Sequence, residues 1–123
     1  MQYYVYCIAL LLMDTSFITK WSSQVKKGVL DFVILLLLEK KDLYGYELIA
    51  ELKDRTDFDV AEGTIYPLLN RLKEEAFIES YWKEMDKGLP RKYYRCTPKG
   101  KETLVKMCSR WKELNLNIKK LMP

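Results

Sequence analysis

Within the ten-residue stretch Gly63-Thr64-Ile65-Tyr66-Pro67-Leu68-Leu69-Asn70-Arg71-Leu72, the side chains that can hydrogen-bond or carry charge fall on one side and the aliphatic ones on the other. Thr64, Tyr66, Asn70, Arg71 and the following Lys73 present hydroxyl, carboxamide, guanidinium and ammonium groups. These are the groups that hydrogen-bond to base edges or pair with phosphates. Ile65, Leu68, Leu69 and Leu72 recur at i, i+3, i+4 and i+7, one face of a helix. Pro67 lacks an N–H, so the first helical turn is its natural place, with Gly63 and Thr64 as entry residues. A short helix with one apolar face and one face of Tyr, Asn and basic groups suits a DNA major groove. The alternative is an ordinary amphipathic surface helix.

The segment C-terminal to this helix decides between the two. Phe77-Ile78-Glu79-Ser80-Tyr81-Trp82-Lys83 reads as a strand, Met85 to Pro90 as a turn, and Arg91-Lys92-Tyr93-Tyr94-Arg95-Cys96-Thr97 as the return strand. From Lys87 to Lys101 there are six basic residues (Lys87, Arg91, Lys92, Arg95, Lys99 and Lys101) and no acidic one. Most charge runs are solvated faces. A basic hairpin directly after a candidate recognition helix is instead expected to grip phosphates. Trp82 is expected to be a packing residue of that strand.

The order of helix, helix, Gly-Thr-Ile-Tyr-Pro-Leu-Leu-Asn-Arg-Leu helix and Arg-Lys-Tyr-Tyr-Arg-Cys-Thr-Pro-Lys-Gly junction resembles the PadR family of bacterial transcriptional regulators. Leu43-Tyr44-Gly45-Tyr46-Glu47-Leu48 is similar to a second signature of that family, and the resemblance spans roughly Lys26 to Leu121. It implies a winged helix-turn-helix that binds DNA as a homodimer and usually represses transcription. In compact members with a single C-terminal helix, a Trp in that helix can lie at the dimer centre and sandwich a flat aromatic ligand. Trp111 looks like that residue, and paired indoles would offer two large stacking faces. The alternative is that Trp111 fills the helix seam.

Composition bounds the remaining possibilities. A chain of 123 residues makes one small domain, and its net charge of +4 permits nucleic-acid binding without demanding it. With no histidine, Ser-His-Asp and Cys-His catalysis and every His-containing zinc site are excluded. Cys7, Cys96 and Cys108 are too scattered for a metal knuckle or redox pair, and they read as reduced thiols of a cytoplasmic protein. Cys96 and Cys108 are expected to pack as small apolar side chains. No enzyme constellation, cofactor or metal site is expected.

The flanking elements should serve assembly. Tyr3 to Met13 is almost wholly apolar, too short to span a bilayer and without the marks of a signal peptide. Residues 1–12 are expected to arise from an upstream start codon, the family-like part beginning at Met13. The alternative is an added strand or helix that packs on the dimer. Val29 to Leu38, interrupted by Asp31, reads as a helix buried on several sides. Lys53 to Asp59 reads as a polar connection. Thr97-Pro98 is a helix start, after which Leu104, Met107, Trp111, Leu114, Ile118 and Leu121 form a heptad seam. A domain of this size does not need so long a stripe for itself. A second subunit or the first helix should cover it.

The resulting expectation is a mainly α fold with a small β-hairpin wing: an extension over 1–24, a winged helix over 25–97 and a dimerisation helix over 98–123. Helix two runs from about Leu43 to Lys53, and helix three, from about Gly63 to Glu75, enters the major groove. Tyr66, Asn70 and Lys73 are the first choices for base or phosphate contact, with Thr64 and Pro67 at the helix mouth. Tyr44 and Tyr46 are candidates for backbone phosphates, and Lys87, Arg91 and Lys92 for phosphates or an adjacent minor groove. The partners implied are a pseudo-palindromic DNA operator, a second copy of the chain and a planar aromatic effector at Trp111, with no membrane. The rival reading is a winged-helix protein-interaction module without DNA binding.

Overall fold

The apolar run after Lys27 is the inner part of one long helix. In the computed structural model, which describes residues 2–13 and 15–123 and the side chains of these except at 3, 10–13 and 15, α1 is Gln2–Met13 and α2 is Thr15–Lys40. Several side chains of the N-terminal apolar run therefore lie outside the described residues. The chain divides into two compact units, residues 1–30 and 31–123. In the first, the described apolar side chains of Tyr4, Val5, Tyr6, Ile8, Phe17, Ile18, Trp21 and Val25 are exposed. Among the described residues no helix is long and apolar enough to cross a membrane.

The second unit holds the winged helix and the C-terminal helix. Its elements are β1 (Leu43–Tyr44), α3 (Gly45–Thr56), α4 (Glu62–Glu74), β2 (Ile78–Lys83), β3 (Arg91–Cys96) and α5 (Pro98–Leu121). Ile34, Leu35, Leu37 and Leu38 of α2 are buried, as the all-round apolar pattern predicts. Leu48 and Leu52 of α3, Ile65, Leu69 and Leu72 of α4, and Ile78 of β2 complete the same core. Each fully buried Leu or Ile contributes about 1.5–3 kcal/mol over leaving it in water.

Three boundaries differ from the sequence reading. Leu43 and Tyr44 do not open a helix; they form β1, which pairs antiparallel with β3 through Leu43↔Tyr94 and Tyr44↔Tyr93. Lys53 to Thr56 is not connection but the last turn of α3, which closes at Asp57 in a left-handed conformation (φ 59°). There the Asp57 and Phe58 N–H groups donate to the Lys53 and Leu52 carbonyls at 3.1 Å each. Pro67 sits beyond the first turn, because α4 starts at Glu62 with Ala61 as its N-cap. The pyrrolidine thus removes one interior ladder bond on the exposed side of the helix.

The wing obeys its turn signals closely. β2 and β3 pair in register from Ile78↔Cys96 to Lys83↔Arg91, and the sheet order is β1-β3-β2. Thr97 joins wing to helix. Its hydroxyl oxygen accepts from Gly100 N–H at 3.0 Å as the α5 N-cap, and the same hydroxyl donates to the Ala76 carbonyl at 2.7 Å. Such a cap contributes about 1 kcal/mol. Gly100 is buried against β3; a Cβ there would overlap the Phe77 carbonyl oxygen and lie 2.8 Å from Cys96 Sγ.

Leu104 belongs to this core as well. It is 5% exposed within its own chain, so the stripe left open on α5 begins beyond it. Met107 is half-buried, and from Ser109 onward every residue is exposed, Trp111, Leu114, Ile118 and Leu121 among them.

Candidate nucleic-acid interface

Burial of Ile65, Leu69 and Leu72 fixes the roll of α4 about its axis. That roll leaves Thr64, Pro67, Asn70 and Lys73 exposed and Tyr66 half-buried. The apolar spacing thus delivers the polar face to solvent, as the helical period requires. Gly45 sets how closely α3 approaches: a Cβ there would overlap the Tyr66 hydroxyl and lie 2.8 Å from its Cζ. The absence of a side chain at Gly45 is what lets the Tyr66 phenol lie against the start of α3.

Between α4, the start of α3 and the wing runs a groove of about 750 Å³. Seven of the residues singled out from sequence line it: Tyr44, Tyr46, Tyr66, Asn70, Lys87, Arg91 and Lys92. Thr64, Pro67 and Lys73 are exposed on α4 outside this lining, and Lys73 lies beside Lys92. The Lys92 ammonium is held below the ordinary lysine value, first by desolvation and then by the charge of Lys73. The Glu62 carboxylate beside the Tyr46 hydroxyl keeps the phenol protonated to higher pH than usual. Tyr44 acts as a brace: the Arg91 guanidinium lies over its ring at 4.6 Å, and its edge meets Tyr93 at 5.4 Å.

Arg55, Arg71, Arg95, Arg110 and Lys41 each pair with a carboxylate, Arg95 with Glu79 at 2.9 Å and Arg71 with Asp31 at 3.8 Å. Among the described residues none of Lys73, Lys87, Arg91 and Lys92 does. On the sheet face away from Trp82 and Lys92, Tyr81 stacks on Tyr93 at 5.8 Å, Arg95 lies over Tyr81 at 4.5 Å, and the Tyr81 hydroxyl donates to Asp42 at 2.6 Å. That hydrogen bond raises the Tyr81 pKa.

The sequence reading missed Gly45, Glu62, Leu89 and Trp82 as parts of this region. Trp82 is not the packing residue expected; its indole is 68% exposed and lines the groove. Its exposure depends on where α4 ends over the sheet, which no local pattern encodes. At the far end of the unit, Trp111 is 41% exposed and its ring lies 6.1 Å from that of Phe32 on α2, tilted by 49°.

Comparison with known proteins bears on the same region. Residues 34–106 match the transcriptional regulator PadR-like family. An uncharacterised protein of Lysinibacillus sphaericus is 39% identical over 94 residues, covering 75% of this chain and 86% of its own. A PadR-like transcription factor from Bacteroides fragilis is 41% identical, with a TM-score of 0.70 over 84% of this chain and 99% of that one. A PadR family transcriptional regulator from Eggerthella lenta is 30% identical, with a TM-score of 0.79 over 85% of this chain and 91% of that one.

Proposed function

Because the chain belongs to the PadR-like family of transcriptional regulators, we propose that it binds duplex DNA sequence-specifically as a cytoplasmic homodimer and represses transcription. Helix α4 enters the major groove, where Tyr66 and Asn70 reach base edges and Thr64, Pro67 and Lys73 lie at the groove wall. Lys87, Arg91 and Lys92 take phosphates. The observation that carries this reading is the set of cations that have no carboxylate partner among the described residues, beside a row of hydrogen-bonding side chains. Such a surface gains most from a polyanion whose bound counterions are released. Selection of genomic fragments at low salt, followed by anisotropy titrations at rising salt, tests it. Enriched fragments sharing an inverted repeat are the expected result, and recovery of no fragment sinks the proposal.

The dimer forms through the open stripe of α5, with Met107, Trp111, Leu114, Ile118 and Leu121 facing their symmetry mates. Trp111 and its mate then border a ligand site with Phe32 as a wall, a reading favoured by the Phe32–Trp111 contact. A planar aromatic compound bound there relieves repression only if it prefers the DNA-incompetent arrangement of the subunits. Indole fluorescence titrations with planar cationic dyes and phenolic acids, repeated on Trp111→Ala, check this. Unchanged binding of every compound by the variant would remove Trp111 from the site.

A further inference from the structure

We propose that Trp82 is a DNA contact, its indole packing against a deoxyribose of the backbone strand seated between α4 and the wing. The proposal rests on the reading of this groove as the DNA site and extends it to a residue that carries no charge.

The strand alternation puts Trp82 and Lys92 directly opposite each other on β2 and β3, on the sheet face that α4 covers further along at Ile78 and Tyr94. Beyond the reach of α4 that face opens into the groove, and Trp82 is its largest apolar member. Tyr81 and Tyr93, one step away on the opposite face, are half-buried and partnered by stacking. Among the described residues the ring contact of Trp82 is with the Lys92 ammonium, 5.9 Å from its centroid. A large aromatic left in water and rimmed by cations marks a binding surface more often than a packing site.

The chemistry of the surroundings selects the occupant. Lys92 lies opposite Trp82 with Lys73 beside it, and among the described residues neither has a carboxylate partner, so the occupant is anionic. The indole also demands an apolar face between the anionic groups. A nucleic-acid backbone alternates phosphate with sugar, which is this pattern. The contact is sequence-independent and releases no counterion, so it adds affinity without adding salt dependence.

The test uses the full chain and a short random-sequence DNA duplex carrying fluorescein, titrated at several low salt concentrations. Trp82→Ala should weaken binding about tenfold at every salt concentration, with an unchanged slope of log affinity against log salt. Trp82→Phe should recover most of the loss. Lys92→Gln should weaken binding while reducing the slope by about one. Circular dichroism and thermal unfolding establish that each variant folds. Should Trp82→Ala not fold, the difference in indole emission between wild type and Trp82→Phe decides: DNA should quench it. Wild-type affinity in Trp82→Ala, a slope change like that of Lys92→Gln, or indole emission indifferent to DNA overturns the proposal. If the wild-type chain does not bind the duplex at all, the DNA reading itself falls; if it binds and only the Trp82 results fail, that reading stands and this contact does not.

Discussion

The groove beside α4 and the distal half of α5 are both open surfaces, but what they leave unsatisfied is opposite. The groove leaves charge without counter-charge: Lys73, Lys87, Arg91 and Lys92 have no carboxylate partners among the described residues. Helix α5 leaves apolar surface in water, with Leu114 and Ile118 each half exposed and Trp111 nearly so. One ion pair lies along the same stretch, Arg110 with Glu113 at 3.4 Å. The first surface calls for a polyanion and the second for another apolar face. Salt separates them, since screening weakens charge pairing and leaves hydrophobic burial intact or strengthened.

The largest effect should come from charging the apolar side. Replacing Leu114 and Ile118 together by Asp puts unpaired carboxylates where two α5 helices would meet, at a cost of several kcal/mol. Sedimentation velocity should then show monomer or unfolded chain where the wild type sediments as dimer, and the wild-type dimer should persist at high salt. A folded wild-type monomer at micromolar concentration would break the contrast, because α5 would then tolerate its exposed stripe alone.

On the charged side the expected losses are smaller and of two kinds. Asn70→Ala or Tyr66→Ala should cost about 1–3 kcal/mol of specific binding while leaving non-specific binding nearly unchanged. Neutralising Lys87 and Arg91 together should weaken all sequences alike and flatten the salt slope by about two. If the wing double variant retains the full slope, the wing cations do not touch phosphate, and their lack of partners has another meaning.

A subtler change tests how the groove is built. Gly45→Ala should displace the Tyr66 phenol, the flexible end of that side chain, and so cost little stability. It should nonetheless lower specific DNA affinity toward the Tyr66→Ala value, by about 1 kcal/mol. Equal affinity in both proteins would mean that Tyr66 works from its displaced position just as well. The matching change at Gly100 should behave differently, because the obstruction there is the Phe77 backbone and folding itself should suffer.

These glycines also show where sequence reading runs out. The wing, α4 and α5 were legible because each writes its signal locally: apolar spacing at 3.6, turn residues at Gly88 and Pro90, and Thr97-Pro98 as a helix start. The polar face of α4 was legible too, since burying Ile65, Leu69 and Leu72 leaves it no other place to go. Strand β1 was not legible, because two residues become a strand only by pairing with Tyr93 and Tyr94, far along the chain. Leu104 kept perfect register with the seam yet is buried in its own chain, since the first turns of α5 dock on the core before the stripe becomes free. Trp82 was misread for the same reason in reverse. A strand aromatic is normally covered, and only the position of α4 over the sheet uncovers this one.

The smallest predicted effect probes the crowding of like charges in the groove. Desolvation first, and then the neighbouring Lys73 charge, hold the Lys92 pKa below the ordinary lysine value; Tyr66 and Tyr94 lie close by, with Tyr94 kept neutral by burial. A lysine whose folded pKa is depressed disfavours the folded state while it is protonated. That penalty is complete below the folded pKa and vanishes as pH rises toward the unfolded value, so the free protein should gain slightly in stability over that alkaline interval. A bound phosphate acts in the other direction, favouring the ammonium and raising its pKa. DNA binding in the same interval should therefore take up a proton, and affinity should fall as pH rises through it. Lys73→Gln removes the second cause and leaves the first, so the Lys92 titration should move upward and the alkaline loss of affinity should start at higher pH. Carbon-detected NMR of the lysine side chains reads this directly. If Lys92 titrates together with the other lysines, and Lys73→Gln changes nothing, the two ammoniums do not confront each other. The groove would then be less hungry for an anion than its unpaired lysines suggest.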